Sequence, residues 1–300
     1  MTNILVERIK ALSSPLEPIE TDIEERLDLT LNPKVIVFDI YGTLFVSGSG
    51  DIGILKGISS EEVLSEAMES SGINLLSADA PTEGLSLLHS EIENAHRMAR
   101  DRGIDYPEVV ITEIWKNVLE ILEEKKLIAF REGYLPNPDL LKRLSVEYEC
   151  RVNPVWPMPH AREAISKITE KQIVLGIVSN AQFFTRLLFP ALMGKNMEEL
   201  GFDKRITIFS YEVGRAKPSA LLFRLLRETL KETFQIEGNE ALYIGNDMLN
   251  DIYPAKNEGF RTALFAGDRR SLRLRSNDET IKKVQPDIII KDLMHLAEPA

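Results

Sequence analysis

The chain has 300 residues, 44% of them hydrophobic, and its 36 basic against 47 acidic side chains give a formal net charge of −11 at pH 7. A chain of this length buries enough surface to fold without a structural metal or disulfide. Its acidic balance argues against nucleic acid as a partner, because a phosphate backbone is bound by a basic surface.

The compartment and the relation to membranes are predicted from cysteine content and apolar segments. Cys150 is the single cysteine, which excludes an intramolecular disulfide and is typical of a reducing compartment. The longest core-like apolar stretch, residues 173–178, is far shorter than the roughly 20 residues of a membrane span. Residues 1–14 contain charged side chains and no continuous apolar stretch, so they do not resemble a secretory signal. We therefore expect a cytoplasmic protein without membrane contacts.

The first 33 residues form a distinct segment. Ile4, Leu5, Ile9 and Leu12 follow a short amphipathic pattern, and several prolines come after them. Proline cannot continue a helix interior. We expect residues 1–33 to be an N-terminal extension, an arm or short helices packed on the outside of a domain.

Short apolar runs recur along the rest of the chain and predict buried parallel strands. They are residues 35–38, 173–178, 206–209, 241–244, 262–265 and 287–290. Helical patterns lie between them, for example at 162–169 and 219–234. Strands that alternate with helices indicate right-handed crossovers and a parallel sheet. The predicted fold class is α/β, with a Rossmann-like parallel-sheet core formed by residues 34–50 and 155–300.

Residues 51–154 interrupt this alternation. They contain four helical patterns and no convincing strand, and the spacing of Asp105 and Glu108 resembles a helix-capping signature. Three prolines, Pro154, Pro157 and Pro159, mark the return to the core. We therefore predict an all-helical domain inserted between the first and second strands of the sheet, which we call the cap.

Polar side chains follow the predicted strands at the points where those strands end. In open α/β sheets, ligands bind at the carboxyl ends of the strands. The residues at these positions are Asp39, Thr43, Ser179, Asn180, Asp247 and Asp251. Lys217 comes just before the predicted helix at 219–234. A carboxylate can act as a nucleophile, hydroxyl and N–H groups can hold an oxyanion, and paired carboxylates suit Mg²⁺. This mixture is what phosphoryl transfer requires.

These segments resemble the four motifs of the haloacid dehalogenase superfamily of hydrolases, in the same order. The first is Asp39-Ile40-Tyr41-Gly42-Thr43, the second Ser179-Asn180, the third Lys217-Pro218, and the fourth Asp247 with Asp251. The resemblance covers roughly residues 34–290. It implies Asp39 as nucleophile, Lys217 as the group that orients it, and Thr43, Ser179 and Asn180 as binding residues for the transferring group. It also implies Mg²⁺ held by Asp39, Asp247 and the backbone carbonyl of Tyr41, with Asp251 in support.

One position departs from the pattern of the superfamily's phosphatases. Two residues after the nucleophile, those enzymes have an aspartate that protonates the leaving group, and this sequence has Tyr41. The segment from Phe38 to Leu44 is similar instead to the 2-haloacid dehalogenases, whose halide leaves without a proton. Those dehalogenases work without metal and use a cap arginine at a position where this chain has Ser70. The hydroxyl of Tyr41 is either catalytic or a packing group.

The function that these observations favour is Mg²⁺-dependent hydrolysis of a small phosphorylated metabolite, an anionic substrate, through an aspartyl-phosphate at Asp39. Two alternatives stay open at this stage. One is a metal-free 2-haloacid dehalogenase that forms an ester at Asp39. The other is a fold of this family that binds a ligand without catalysis.

Overall fold

The computed structural model describes residues 2–27, 32–48, 60–131 and 136–297. Its strands, in chain order, are β1 (Val35–Phe38), β2 (Phe45–Ser47), β3 (Ile73–Leu75), β4 (Ile128–Phe130), β5 (Val155–Pro157), β6 (Val174–Ser179), β7 (Phe202–Phe209), β8 (Ala241–Gly245), β9 (Arg261–Phe265) and β10 (Ile288–Ile290). Its helices are α1 (Thr2–Leu12), α2 (Ser60–Ser70), α3 (Ala80–Asp101), α4 (Ile111–Glu124), α5 (Pro138–Val152), α6 (Ala161–Glu170), α7 (Thr185–Leu188), α8 (Ser210–Val213), α9 (Ala220–Thr229) and α10 (Tyr253–Asn257). Across these ranges, no helix is both long and apolar enough to cross a bilayer.

A six-stranded parallel sheet forms the core, with the order β10-β9-β8-β1-β6-β7. Each of the six predicted apolar runs contributes one strand, so the predicted fold class is confirmed. Strand β1 is central, and Phe38 at its end lies beside Ile177 of β6 and Ile244 of β8. The chain moves outward from β1 in both directions, and such a reversal of strand order creates a crevice at the carboxyl ends of the strands.

Apolar side chains cover both faces of this sheet, as the uninterrupted runs require. On one face, Ile36 and Phe38 belong to a large cluster that includes residues of α1, α6 and α7. On the other face, the α9 residues Leu222 and Phe223 belong to the same cluster as Val37 of β1. The central strand is therefore fixed from two sides, and the residue that follows it is held with it.

The inserted segment contains the four predicted helices, α2 to α5, packed around their own apolar cluster with Trp115 at 0% exposure. It is not purely helical. Strands β3 and β4 pair in antiparallel fashion, with Ile73 opposite Phe130, and strands β2 and β5 form a second antiparallel pair where the cap joins the core. Each of these strands has only three residues, so none is long enough to show an alternating pattern in the sequence.

The predicted capping signature of Asp105 and Glu108 is wrong. Helix α4 begins at Ile111, and its N-terminal flanking residue makes no side-chain capping bond. Asp105 instead accepts a hydrogen bond from the Arg215 guanidinium at 2.9 Å, and Glu108 accepts one from the Ser210 hydroxyl at 2.7 Å. Both carboxylates are used to join the cap to the core, which a local pattern cannot indicate.

The N-terminal segment packs more deeply than an external arm. Leu5 and Ile9 of α1 are buried in the main core cluster. Arg8 binds the buried carboxylate of Glu147 on cap helix α5 through two nitrogens, of which Nη2 lies 2.9 Å from Oε2. Further along, the backbone N–H of Arg26 donates to the carbonyl of Ile289 beside the last strand of the sheet. The segment therefore contacts the cap and the core together.

Candidate active site

Asp39 stands at the carboxyl end of β1, where its backbone N–H donates to the carbonyl of Ile244 at 2.8 Å. The chain turns sharply behind it at Gly42, whose φ is +80°. A Cβ atom at position 42 would come within 2.6 Å of the Asn246 amide and 2.5 Å of the Ser271 side chain. Only glycine allows this approach, so the turn places Asp39 and Asn246 on one surface.

Lys217 connects two carboxylates of this surface. Its Nζ lies 2.7 Å from Oδ1 of Asp39 and 2.5 Å from Oδ1 of Asp251, and all three side chains are buried. Although burial acts to lower it, the charges of Asp251 and Asp39 raise the pKa of Lys217 above its usual value. The ammonium therefore stays charged and places a positive charge against Oδ1 of Asp39.

Asn180 fixes the backbone of this lysine. The Lys217 N–H donates to Oδ1 of Asn180 at 2.7 Å, and the Asn180 amide donates back to the Lys217 carbonyl at 3.5 Å. Asn180 directly follows β6, so the second predicted motif positions the third. Asn180, predicted to bind the substrate, therefore also positions Lys217.

Asp251 is enclosed by donors. The Tyr243 hydroxyl donates to its Oδ1 at 2.9 Å and the backbone N–H of Asp247 to its Oδ2 at 2.9 Å. Burial and the charge of Asp39, partly offset by Lys217, raise the pKa of Asp251 to about 6. A Cβ atom at Gly245 would lie 2.3 Å from the Asp251 carboxyl carbon, so glycine is needed at the end of β8.

Asp247 precedes a turn of π-helix, Met248–Ile252, and its carboxylate accepts hydrogen bonds from the first free backbone N–H groups of that turn, at 2.8 Å and 3.2 Å. Arg275 binds the same carboxylate, with Nη2 2.7 Å from Oδ2. The predicted metal ligand therefore also has structural partners, and a cation bound here would share the carboxylate with Arg275.

The donor set at this surface fits Mg²⁺ in its chemistry. Asp39, Asp247 and Asp251 supply three carboxylates, and Lys217 and Arg275 supply two positive charges in direct contact with them. In the described part of the chain, no three His, Cys, Asp or Glu side chains converge closely enough to enclose a metal by themselves. Mg²⁺ usually takes one or two carboxylates and completes its shell with water and other oxygens, so two carboxylates and the Tyr41 carbonyl suit it.

A cavity of about 370 Å³ lies above these residues, between the sheet edge and the cap. Its core side includes the predicted residues Asp39, Tyr41, Asn180, Lys217, Asp247 and Asp251, together with Asn246, Asn250, Ser271 and Arg273. Its cap side is lined by Ile92, His96, Glu108, Val109, Ile111 and Glu149. The structure thus brings six of the predicted site residues to one cavity.

Tyr41 is half-buried at the wall of the cavity, with its hydroxyl 2.9 Å from Oγ1 of Thr185. Burial, reinforced by the nearby charge of Glu149, raises the pKa of Tyr41 far above its usual value. The phenol is therefore a poor proton donor at neutral pH, and its hydroxyl already has a partner.

Two predicted binding residues, Thr43 and Ser179, are fully buried and are not among the described residues that line the cavity. The Thr43 hydroxyl donates to Oδ1 of Asn246 at 3.2 Å, and the Ser179 hydroxyl donates to the Asn180 carbonyl at 3.3 Å. Thr43 thus contacts Asn246 and Ser179 contacts Asn180, and both asparagines line the cavity. The expectation that these two hydroxyls contact the transferring group directly is therefore corrected, because their side chains support Asn246 and Asn180 instead.

Several polar cavity residues were not predicted from the sequence, among them Asn246, Glu108 and Glu149. Asn246 follows Gly245 at the end of β8, so the strand-end rule that identified Asp247 could have identified it as well. Glu108 and Glu149 come from the cap, where no strand end marks a position. Burial raises the pKa of Glu108, and it raises that of Glu149 to about 7.

Comparison with known proteins adds a family, two curated relatives and one solved structure. The model of a hydrolase family, the haloacid dehalogenase-like hydrolases, matches residues 33–259. A ribulose-1,5-bisphosphate 5-phosphatase of Halopiger xanaduensis is 26% identical over 143 residues, which is 47% of this chain and 55% of that protein. A glyceraldehyde 3-phosphate phosphatase of Pyrococcus abyssi is 27% identical over 146 residues, 42% of this chain and 55% of that protein. The chain thus spans about half the length of the curated relatives it matches.

Among solved structures, a 2-haloacid dehalogenase from Pseudomonas syringae pv. Tomato DC3000 superposes with a TM-score of 0.51 at 18% identity. The superposition covers 88% of this chain and 96% of that one. At this identity the likeness concerns the fold alone.

Proposed function

We propose a function for this chain on the basis of its family. It belongs to the haloacid dehalogenase-like hydrolases, whose family model matches residues 33–259. Within that family, we propose that it is a Mg²⁺-dependent phosphatase of a small phosphorylated metabolite. Asp39 is the nucleophile and carries the phosphoryl group as an aspartyl-phosphate. Two curated relatives named as phosphatases support this choice.

The observation that carries the proposal is the arrangement of three carboxylates at the sheet edge, with Lys217 between two of them. Asp39 and Asp251 share the lysine at 2.7 Å and 2.5 Å, and the neighbouring Asp247 is the third. The lysine contacts Oδ1 of the nucleophile and orients its carboxylate. Three carboxylates repel a dianionic phosphate ester unless a further cation is present. This arrangement therefore suits a reaction in which a metal cation binds together with the phosphate.

The reaction follows from these positions. An oxygen of Asp39 forms a bond to phosphorus while the bond from phosphorus to the ester oxygen breaks, and the alkoxide takes a proton from water. A second water then hydrolyses the aspartyl-phosphate, which releases inorganic phosphate and restores the carboxylate. Mg²⁺ would be held by Asp39, Asp247 and the carbonyl of Tyr41, with Asp251 in support, and would neutralise charge on the phosphoryl oxygens.

Proton transfer to the leaving group is the weak point of this site. Tyr41 occupies the position of the usual acid, and its raised pKa makes it a poor donor. General acid catalysis typically contributes about 10²–10⁴ in rate. We therefore expect slow turnover of alkyl esters and faster turnover of esters with acidic leaving groups.

Haloacid dehalogenation is the second candidate, and Tyr41 is the observation that favours it. In that reaction Asp39 attacks carbon, halide leaves, and water hydrolyses the ester. The substrate would be a carboxylate, however, and the cap side of the cavity presents Glu108 and Glu149 to it. Like charges at close range are unfavourable, so this candidate ranks second.

The test compares p-nitrophenyl phosphate and 2-chloropropionate as substrates, each with Mg²⁺ and with EDTA. We expect phosphate release only with Mg²⁺, and we expect Asp39→Asn to abolish it because an amide is neither a nucleophile nor an anionic ligand. Asp101→Asn, at an exposed carboxylate on α3, is the matched control. Metal-independent halide release from 2-chloropropionate would establish the second candidate instead, and no turnover of either compound would indicate a binding protein.

A further inference from the structure

The two sides of the active-site cavity differ in the charges that they present. The core side contributes Lys217 and Arg273 beside its carboxylates, whereas the cap side contributes the carboxyl groups Glu108 and Glu149. Among the described cap residues that line the cavity, none is a lysine or an arginine. A phosphate ester bound with its phosphoryl group at Asp39 therefore shares the cavity with two carboxyl groups of the cap.

Of the two cap carboxyl groups that line the cavity, Glu149 has the fewer hydrogen-bond partners. It projects from helix α5, and Asn153, the residue that follows this helix, donates to its Oε1 at a long 3.3 Å. No described residue forms an ion pair with it or donates to its Oε2. A carboxyl group that is half-buried in a cavity without a cation is unfavourable as a carboxylate, so a positively charged ligand group would improve its environment.

Glu108 reaches the same cavity from the segment between α3 and α4. The Ser210 hydroxyl donates to its Oε2 at 2.7 Å and the Val109 N–H to its Oε1 at 2.9 Å. These two bonds hold the carboxyl group in place and leave it without a cation among the described residues. It can therefore act as a fixed, preorganised acceptor.

A third polar group on the cap side, His96, has a ring nitrogen without a hydrogen-bond partner among the described residues. Nε2 of His96 on α3 is enclosed and forms no hydrogen bond with the described residues. Burial, together with the charge of Arg100, lowers the pKa of His96, so the ring is neutral and adds no positive charge. Beside it, Ile92, Val109 and Ile111 give the wall an apolar surface that suits a short aliphatic chain.

We propose that the leaving alcohol carries an ammonium group, which Glu149 and Glu108 bind while the phosphoryl group lies at Asp39. The substrate class is thus an aminoalkyl phosphate rather than a bisphosphate or a phosphorylated carboxylic acid. The inference rests on the proposed phosphatase function. Glu149 and Glu108 are specificity residues in it, because they contact the part of the substrate that leaves.

The test uses three phosphate monoesters of equal length that differ in the terminal group: 2-aminoethyl, 2-hydroxyethyl and carboxymethyl phosphate. We expect kcat/KM to fall in that order, by about tenfold or more from the first to the second, the usual size of a hydrogen bond to a charged group. Glu149→Gln should remove most of that preference. Glu120→Gln, at an exposed position of α4, should leave the order intact.

The parallel assay with p-nitrophenyl phosphate separates the two hypotheses. Turnover of the aryl ester with equal kcat/KM for the amino and hydroxyl esters, or with preference for the carboxymethyl ester, overturns the substrate class and leaves the phosphatase standing. Absence of any Mg²⁺-dependent phosphate release overturns both. Because the wild-type series alone decides the order, the result stands even if a cap variant fails to fold.

Discussion

The core side of the cavity, here called its floor, and the cap side, called its roof, differ in how their carboxyl groups are paired with cations. At the floor, Asp39, Asp251 and Asp247 are each held by at least one cation at hydrogen-bond distance. At the roof, Glu149 has one long hydrogen bond from Asn153 and no cation among the described residues. In the floor, protein cations are paired with the carboxylates. In the roof, Glu149 has no cation partner among the described residues, so a ligand could supply one. Substitutions in the two regions should therefore have opposite effects on stability.

Lys217→Met tests the floor and should have the largest effect. The change leaves Asp39 and Asp251 buried without their common cation, and breaking a buried pair costs about 3–5 kcal/mol. Phosphatase activity should fall by about 10³ or more, because the nucleophile loses the group that orients it. Urea unfolding and initial rates measure both effects, with the exposed Lys231→Met as control.

The pH dependence of that variant has a definite sign. Without Lys217 the pKa of Asp251, already raised to about 6, rises further in the folded protein. The folded state then holds protons that the unfolded state releases, so the variant loses stability as the pH rises above the unfolded value. We expect the deficit to be larger at pH 8 than at pH 5. An equal deficit at both values would show that the carboxylates are not the source of the destabilisation.

The floor could largely be predicted from the sequence, and the roof could not. Asp39 and Asp247 lie at or near the ends of strands that short apolar runs reveal, and the carboxyl ends of neighbouring parallel strands share one edge. Lys217 precedes helix α9. Thr43 and Ser179 satisfied the same rule, but it does not say which way a side chain turns, and both turned away from the cavity. Glu108 and Glu149 depend on how the cap folds back over the sheet, which no local pattern encodes.

Asp247→Asn addresses metal binding at the floor and should have the next largest effect. The amide keeps one oxygen and the shape of the side chain but loses the charge that Mg²⁺ prefers. We expect Mg²⁺ affinity, measured by calorimetry, to fall about tenfold or more, with a matching rise in the Mg²⁺ concentration needed for half-maximal activity. Unchanged Mg²⁺ affinity in the variant would remove Asp247 from the proposed ligand set.

Glu149→Gln tests the roof and should increase stability. Burial raises the pKa of Glu149 to about 7 from its usual value near 4.5, so the folded wild type is penalised as the pH rises through that interval. The neighbouring Tyr41 and Cys150 have pKa values raised by burial and stay neutral there. Asn153 adds no charge, so the penalty belongs to Glu149.

The variant should therefore match the wild type at pH 4.5 and exceed it at pH 8 by about 1–3 kcal/mol, since one pKa unit corresponds to about 1.4 kcal/mol. Urea unfolding at the two pH values measures the difference. The exposed Glu120→Gln should show no such gain. A loss of stability at pH 8 would mean that Glu149 is satisfied by the protein itself, and the contrast between floor and roof would disappear.

Tyr41 lies where floor and roof meet, and its replacement should have the smallest effect. Tyr41→Asp restores a carboxyl group at the position of the missing acid. General acid catalysis matters most when the leaving group is most basic. We therefore expect kcat/KM for 2-aminoethyl phosphate to rise by about tenfold relative to that for p-nitrophenyl phosphate. Tyr41→Asn is the control. Asparagine has the shape of aspartate but no acidic proton, so this variant reports the effect of removing the ring and its contact with Thr185.

The two variants separate the explanations for Tyr41. If both aspartate and asparagine change the two esters equally, Tyr41 is a packing residue and the proton comes from water alone. If aspartate lowers the rates of both esters, its charge beside Asp39 opposes the attack on an anionic ester, because like charges near the nucleophile are unfavourable. Only an increase of kcat/KM that is confined to the aminoalkyl ester and to the aspartate variant indicates that the wild-type site lacks a general acid. The ratio of the two esters decides the matter, since it cancels any difference in the amount of folded enzyme.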